Sequence, residues 1–147
     1  MLKKMLLTPI KPKFYKSFSN QKLANWKGYK THQLKFSNLG LITTEKGFVP
    51  TFQIEAARFV LKRLLKKRAQ LFYRLFTCQI VTKKPNAVRL GRGKGRFKYW
   101  TLFIKQGKVV FELNGQNLKL LLHILYFIKF KLTIKTHIYN INNRWVF

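Results

Sequence analysis

Gly91, Gly93 and Gly95 alternate with Arg92 and Lys94, in a stretch that also carries Lys83, Lys84, Arg89, Arg96 and Lys98. Glycine removes side-chain bulk and tolerates positive φ, so the backbone can come close to a second surface. The cations surround that backbone with positive charge. Such a finger suits contact with a phosphate backbone rather than bond making. An ordinary solvated hairpin tip is the plain alternative, yet a tip needs only one or two glycines and no fence of cations. The spacing matches neither a P-loop nor a dinucleotide fingerprint, since both need other glycine positions ahead of a helix.

Catalytic constellations are not in view. The 147 residues include 31 Lys+Arg against 3 Asp+Glu, a net charge of +28, and no aspartate. The acids, Glu45, Glu55 and Glu112, fall on unrelated segments, and without aspartate there is no Ser-His-Asp triad. His32, His123 and His137 are far apart with no metal-ligand spacing. Cys78 is alone, so no intramolecular disulfide or cysteine cluster can form, and it reads as a small buried hydrophobe. We expect no enzyme, no cofactor and no metal. The cationic surplus runs along the whole chain, and self-repulsion at this level calls for a polyanion. Nucleic acid is the first such partner and an anionic membrane surface the second. Lysine, phenylalanine, isoleucine, asparagine and tyrosine, residues with AT-rich codons, are favoured. That bias points to an organelle's own genome, mitochondrial before plastid, with a bacterial cytoplasm as the further alternative.

The finger needs a scaffold. Over residues 51–68, Ile54, Ala57, Leu61, Leu64 and Leu65 recur on one helical face. Arg58, Lys62 and Lys66 stack at i, i+4 on another, either as a solvated face or as an RNA contact. Thr51 is the expected N-cap, with Glu55 complementing the helix dipole in the first turns. Strands are expected over 33–42, 70–76 and 133–139. A hairpin is expected over 97–104 and 108–113, turning at Gln106-Gly107. Glu112 should pair with a neighbouring cation. A second helix over about 117–131 is apolar nearly all round. Leu118, Leu121, Leu122, Leu125 and Ile128 form one face, while Leu120, Ile124 and Phe127 cover much of the other. Cations interrupt it before the roughly 18 apolar residues a membrane span needs. Its outer face should therefore meet a neighbouring protein or another part of the chain.

This order of elements argues for an α+β fold, mostly antiparallel sheet with two helices. A basic arm, 1–31, precedes the domain at 32–139, and 140–147 form a tail. Pro9 and Pro12 interrupt any helix in the arm. Its start is too short in apolar residues for a secretion signal. Phe14, Tyr15, Phe18, Trp26 and Tyr29 lie among lysines there. They can stack on bases, or anchor the arm on its own domain.

The segment Lys84-Pro85-Asn86-Ala87-Val88-Arg89-Leu90-Gly91-Arg92-Gly93-Lys94-Gly95 resembles the signature of the large-subunit ribosomal protein number sixteen family (the L-sixteen family). Tyr99-Trp100 is similar to the aromatic pair that follows it, and 53–58 to the start of the family's first helix. Gly107-Lys108-Val109, Glu112 and 132–136 are also similar, so the pattern runs from about 32 to 139. The resemblance implies a hammerhead-like α/β ribosomal fold that binds large-subunit rRNA near the peptidyl-transferase region and helps position aminoacyl-site tRNA. Arg89, Gly91, Arg92, Gly93, Lys94 and Gly95 would carry that role, and in some relatives the arginine matching Arg89 is hydroxylated. The arm matches poorly. The second helix is richer in Leu, Phe and Ile than the family's, which implies an added protein neighbour through Leu120, Ile124 and Phe127.

Overall fold

A computed structural model describes residues 7–16, 33–89, 91 and 93–141. The expectations for Phe18, Trp26, Tyr29, His32, Arg92 and Arg144-Trp145 lie outside them. Seven strands and two helices follow in the order β1 (Leu39–Thr43), β2 (Gly47–Pro50), α1 (Thr51–Leu65), β3 (Ala69–Tyr73), β4 (Gln79–Lys83), β5 (Arg96–Ile104), β6 (Val109–Gly115), α2 (Leu118–Lys129) and β7 (Thr136–Asn140). They form two antiparallel sheets, one ordered β3-β6-β1-β7 and the other β2-β5-β4. The α+β reading therefore holds.

The expected hairpin does not. β5 pairs with β2 and β4, whereas β6 pairs with β1 and β3, so consecutive strands enter different sheets. The turn was legible, with Gly107 at φ 79, but Thr43 of β1 occupies it. The Thr43 amide donates to the Lys108 carbonyl at 3.0 Å, and its carbonyl accepts from Gly107 at 2.7 Å. The Lys108 carbonyl is thereby taken from the Lys105 amide that a two-residue hairpin would have given it, while the Lys108 amide still closes the turn on the Lys105 carbonyl at 3.3 Å. The short strand β2 was not expected; at four residues it has too little length for alternation to show.

α1 begins after Pro50, which fills the N-cap position without a side-chain bond. Thr51, the expected cap, turns its hydroxyl to the Trp100 carbonyl at 3.0 Å and to Thr77 at 3.1 Å instead. Glu55 is exposed, and the first turn holds no acid. The helix buries Ile54, Ala57, Leu61 and Leu65, but Leu64 is exposed. It stops at Lys66, whose left-handed φ of 42 breaks the helix earlier than its apolar period implied. α2 is capped by Asn117, whose side chain accepts from the Leu120 amide at 3.1 Å. It buries Leu121, Ile124, Leu125 and Ile128 against α1 and strands β1, β6 and β7. This i, i+3, i+4, i+7 set corrects the expected faces. Ile124 belongs to the core, Leu120 packs on its edge, and Leu118, Tyr126, Phe127 and Phe130 are exposed.

On one face of the four-stranded sheet, Leu39 and Leu41 of β1 meet Leu113 and Phe111 of β6, all within the core. On the other, Phe72, Glu112 and Gly40 stand side by side across β3, β6 and β1. Glu112 has no exposure, and it forms the expected ion pair, with Arg74 at 2.7 Å. Its second oxygen accepts from the amides of Lys35 at 3.1 Å and Phe36 at 2.7 Å. Phe36 then stacks on Phe72 with centroids 5.1 Å apart, closing this face. Glu45 forms a surface pair with Lys135 at 2.8 Å, a contact of little stabilising value. Cys78, expected inside, is exposed, because the adjacent Thr77 takes the buried place.

Leu61→Ala should destabilise the domain by about 2–5 kcal/mol, the usual cost of emptying a fully buried leucine site. Leu64→Ala should stay within about 0.5 kcal/mol. Urea unfolding of both variants checks this, and equal losses would mean the core face is misassigned.

Candidate nucleic-acid interface

The finger leaves β4 and returns in β5, with Lys83 opposite Arg96. Its two ends press together at Gly95. A Cβ there would lie 2.5 Å from the Lys83 carbonyl carbon and 2.7 Å from the Lys84 nitrogen. Only glycine permits that approach. Gly91 and Gly93 serve differently: both are exposed, adopt φ of 105 and 78, and have open space around them. The Lys84 ammonium reaches across the loop and donates to the Gly91 carbonyl at 2.6 Å. Part of its hydrogen-bonding capacity is thus spent on shaping the finger. Lys83, Arg89, Arg96 and Lys98 are exposed around this base, whereas Lys94 is half-buried.

The basic stripe of α1 is less uniform than its spacing implied. Lys62 is exposed in the last turn, and Lys66 is exposed just beyond the helix. Arg58 is half-buried, with its Nε enclosed and without a hydrogen-bond partner, and its guanidinium lies 5.3 Å from the Phe59 ring. Burial pushes the Tyr73 phenol above its ordinary range, and the nearby Arg58 charge opposes that shift. Arg58 therefore works partly inward, toward β3.

Finger and helix are joined by aromatic side chains that the sequence reading passed over. Phe52 of α1 meets Tyr99 of β5 edge-on at 5.7 Å, and the Lys98 ammonium lies 5.5 Å from the Tyr99 ring. Phe52 and Phe59 are both exposed. Large aromatic residues on the solvent side of a basic helix were the available signal. At the finger's other flank, Tyr15 of the arm meets Phe97 at 6.3 Å, and Phe97 meets Trp100 at 5.7 Å. The arm itself is anchored by Leu7, which is buried and whose carbonyl accepts from the Thr77 amide at 2.9 Å and hydroxyl at 2.6 Å. Phe14 and Tyr15 remain exposed.

No helix among the described residues is long and apolar enough to cross a membrane. The assembled surface is a glycine-articulated cationic loop flanked by exposed rings, with no concentration of acids or nucleophiles beside it. Residues 9–139 match the family described as ribosomal protein L16p/L10e. The chain is also similar to the large ribosomal subunit protein uL16 of Blochmanniella pennsylvanica (strain BPEN), 34% identical over 133 residues, covering 90% of this chain and 96% of that protein.

The chain belongs to the ribosomal protein L16p/L10e family. Membership makes it a structural constituent of the large ribosomal subunit and not an enzyme, in keeping with a site that offers charge and stacking surface. The L16p/L10e match spans both helices, the finger and both sheets, ending one residue short of the end of β7.

The two kinds of glycine predict different spectra. Gly95→Ala should shift the amides of Lys83, Lys84 and Arg96 as the strand ends separate. Gly93→Ala should perturb only the loop, at a backbone cost of about 1–2 kcal/mol. Two-dimensional NMR of the full chain reads both. Changes in Gly95→Ala confined to its sequence neighbours would falsify the close-approach role.

Proposed function

We propose that the finger, with Lys62 and Lys66 of α1, binds large-subunit rRNA near the peptidyl-transferase region and helps position aminoacyl-site tRNA. The observation that carries this reading is the finger's construction. Gly95 locks its base against β4, Lys84 folds it over Gly91, and Arg89, Arg96 and Lys98 stand exposed around it. A rigid base with a flexible cationic tip can follow a phosphate backbone without ordering long side chains first. The resemblance of Arg89, Gly91, Arg92, Gly93, Lys94 and Gly95 to the family's glycine-rich loop supports the ribosomal location. Arg58 contributes more to packing than to RNA.

The exposed residues Leu118, Tyr126, Phe127 and Phe130 on α2 support contact with a neighbouring ribosomal protein, with Phe127 the retained member of the expected set. The AT-coded residue bias supports an organelle-encoded protein of the mitochondrial ribosome. Co-sedimentation with purified mitochondrial large subunits tests that location, and its recovery only with another ribosome overturns it.

Arg92→Ala with Lys94→Ala should leave the domain folded while slowing tRNA accommodation or late subunit maturation. Each lost phosphate contact should flatten the salt dependence of rRNA binding by roughly 0.7 to 0.9 log units per log unit of salt. Unchanged translation and an unchanged salt slope in the double variant would overturn the finger's role.

A further inference from the structure

At the end of β5 remote from the finger, the strand and the turn that follows it wall a hollow of about 380 Å³. Arg74, Lys105 and Lys108 line it together with Phe76 and Phe103, and none of its lining residues is acidic. On so basic a surface, two lysines beside a turn would be ordinary. What sets this place apart is how firmly they are held. Thr43, only 2% exposed, sits inside the turn. Its hydroxyl meets the carbonyls of Lys105 at 2.8 Å and Lys108 at 3.2 Å, and accepts from the Lys108 amide at 3.1 Å. With the two backbone bonds already described, one buried threonine fixes the segment that carries both lysines.

The remaining members are also set in place. Arg74 gives Nη1 to Glu112 at 2.7 Å and lies 5.4 Å from the Phe36 ring. A guanidinium carries further donors beyond that one. Phe103 meets Phe48 edge-on at 5.1 Å, while Phe76 is 49% exposed. The hollow thus combines lysines carried on a fixed backbone, a tethered guanidinium, concavity and an exposed ring.

We propose that this hollow is a second RNA contact, one that takes a single unpaired nucleotide. Its base lies on Phe76, and its phosphates are held by Lys105 and Lys108. The volume falls within the range of about 300 to 1,000 Å³ typical of sites that enclose small ligands. Unstacked bases are commonly held by aromatic faces set among cations. Duplex RNA is too wide to enter. An acidic peptide would satisfy the lysines but leave the Phe76 ring without a flat partner. The proposal rests on RNA being the partner of this protein, and is independent of the finger's particular role.

The test is ultraviolet crosslinking of assembled large subunits containing the full chain, followed by tryptic digestion and mass spectrometry. Cleavage after Arg74 and Lys83 isolates peptide 75–83, which holds Phe76 and none of the finger's glycines. A nucleotide adduct on this peptide is expected. It should fall roughly fivefold or more in Phe76→Ala, as loss of one stacked base implies, and persist in Phe76→Trp. Because Phe76 is exposed, neither variant endangers the fold. Adducts on finger or α1 peptides with none on 75–83 overturn this site and leave the RNA reading standing. An adduct that persists in Phe76→Ala also overturns it, and no adduct anywhere on the chain overturns both. A chemical crosslink from Lys105 or Lys108 to an acidic residue of a neighbouring protein overturns it in favour of a peptide occupant.

Discussion

A single buried carboxylate organises a molecule made almost wholly of cations. Taking Glu112 out of water is expensive, and an unpaired partner left behind in such a site typically costs about 3–5 kcal/mol. The site repays that cost with three bonds, from Arg74 and from the amides of Lys35 and Phe36. Because the donors come from two separate stretches of chain, the carboxylate ties the end of β3 and the segment before β1 to β6. The Phe36–Phe72 stack then shields it. With this face closed by polar bonds, the opposite face is free to carry the apolar core shared with α2.

The second organising contact is the occupation of the β5–β6 turn by Thr43. It converts what would be a hairpin into a joint between two sheets, and so separates the sheet that holds the finger from the four-stranded sheet. The three-stranded sheet then has one task, to hold the finger on β4 and β5. α1 links it to the other sheet by packing on β2, β3 and β5 and on α2.

Local signals were legible where the chain interacts with itself nearby. The glycine–cation finger and the two helices could be read from residue types and spacing, and so could the need of Glu112 for a cation, although its partner Arg74 lies 38 residues away. What failed depended on distant chain. Leu64 looked like core because period alone places it there, but the left-handed cap at Lys66 and the packing of α1 set a narrower buried arc. Ile124 was assigned outward because α2 is apolar nearly all round, and only the strands beneath it select a face. Thr51 lost its capping role to a carbonyl in β5, 49 residues away. In the site, Lys84 and Arg58 read as free cations, yet one shapes the finger and the other packs against β3. Phe52 and Phe59 carried a signal that went unused, since rings on a basic helix look like ordinary composition until their exposure is known.

β5 runs from the root of the finger to the turn clamped by Thr43, with one irregularity in its pairing to β4, where Lys98 is skipped. At about 3.3 Å per residue its nine residues make a ruler of roughly 26 Å. Evolution can vary the tip of the loop or the residues of the turn and leave that gauge untouched. Inserting one residue into the strand would turn every side chain beyond it to the opposite face; inserting two would restore the faces but lengthen the gauge by a full step. A surface that meets both ends of β5, the central strand of its sheet, must therefore keep a matching interval, which the length of the strand sets and its residue identities do not.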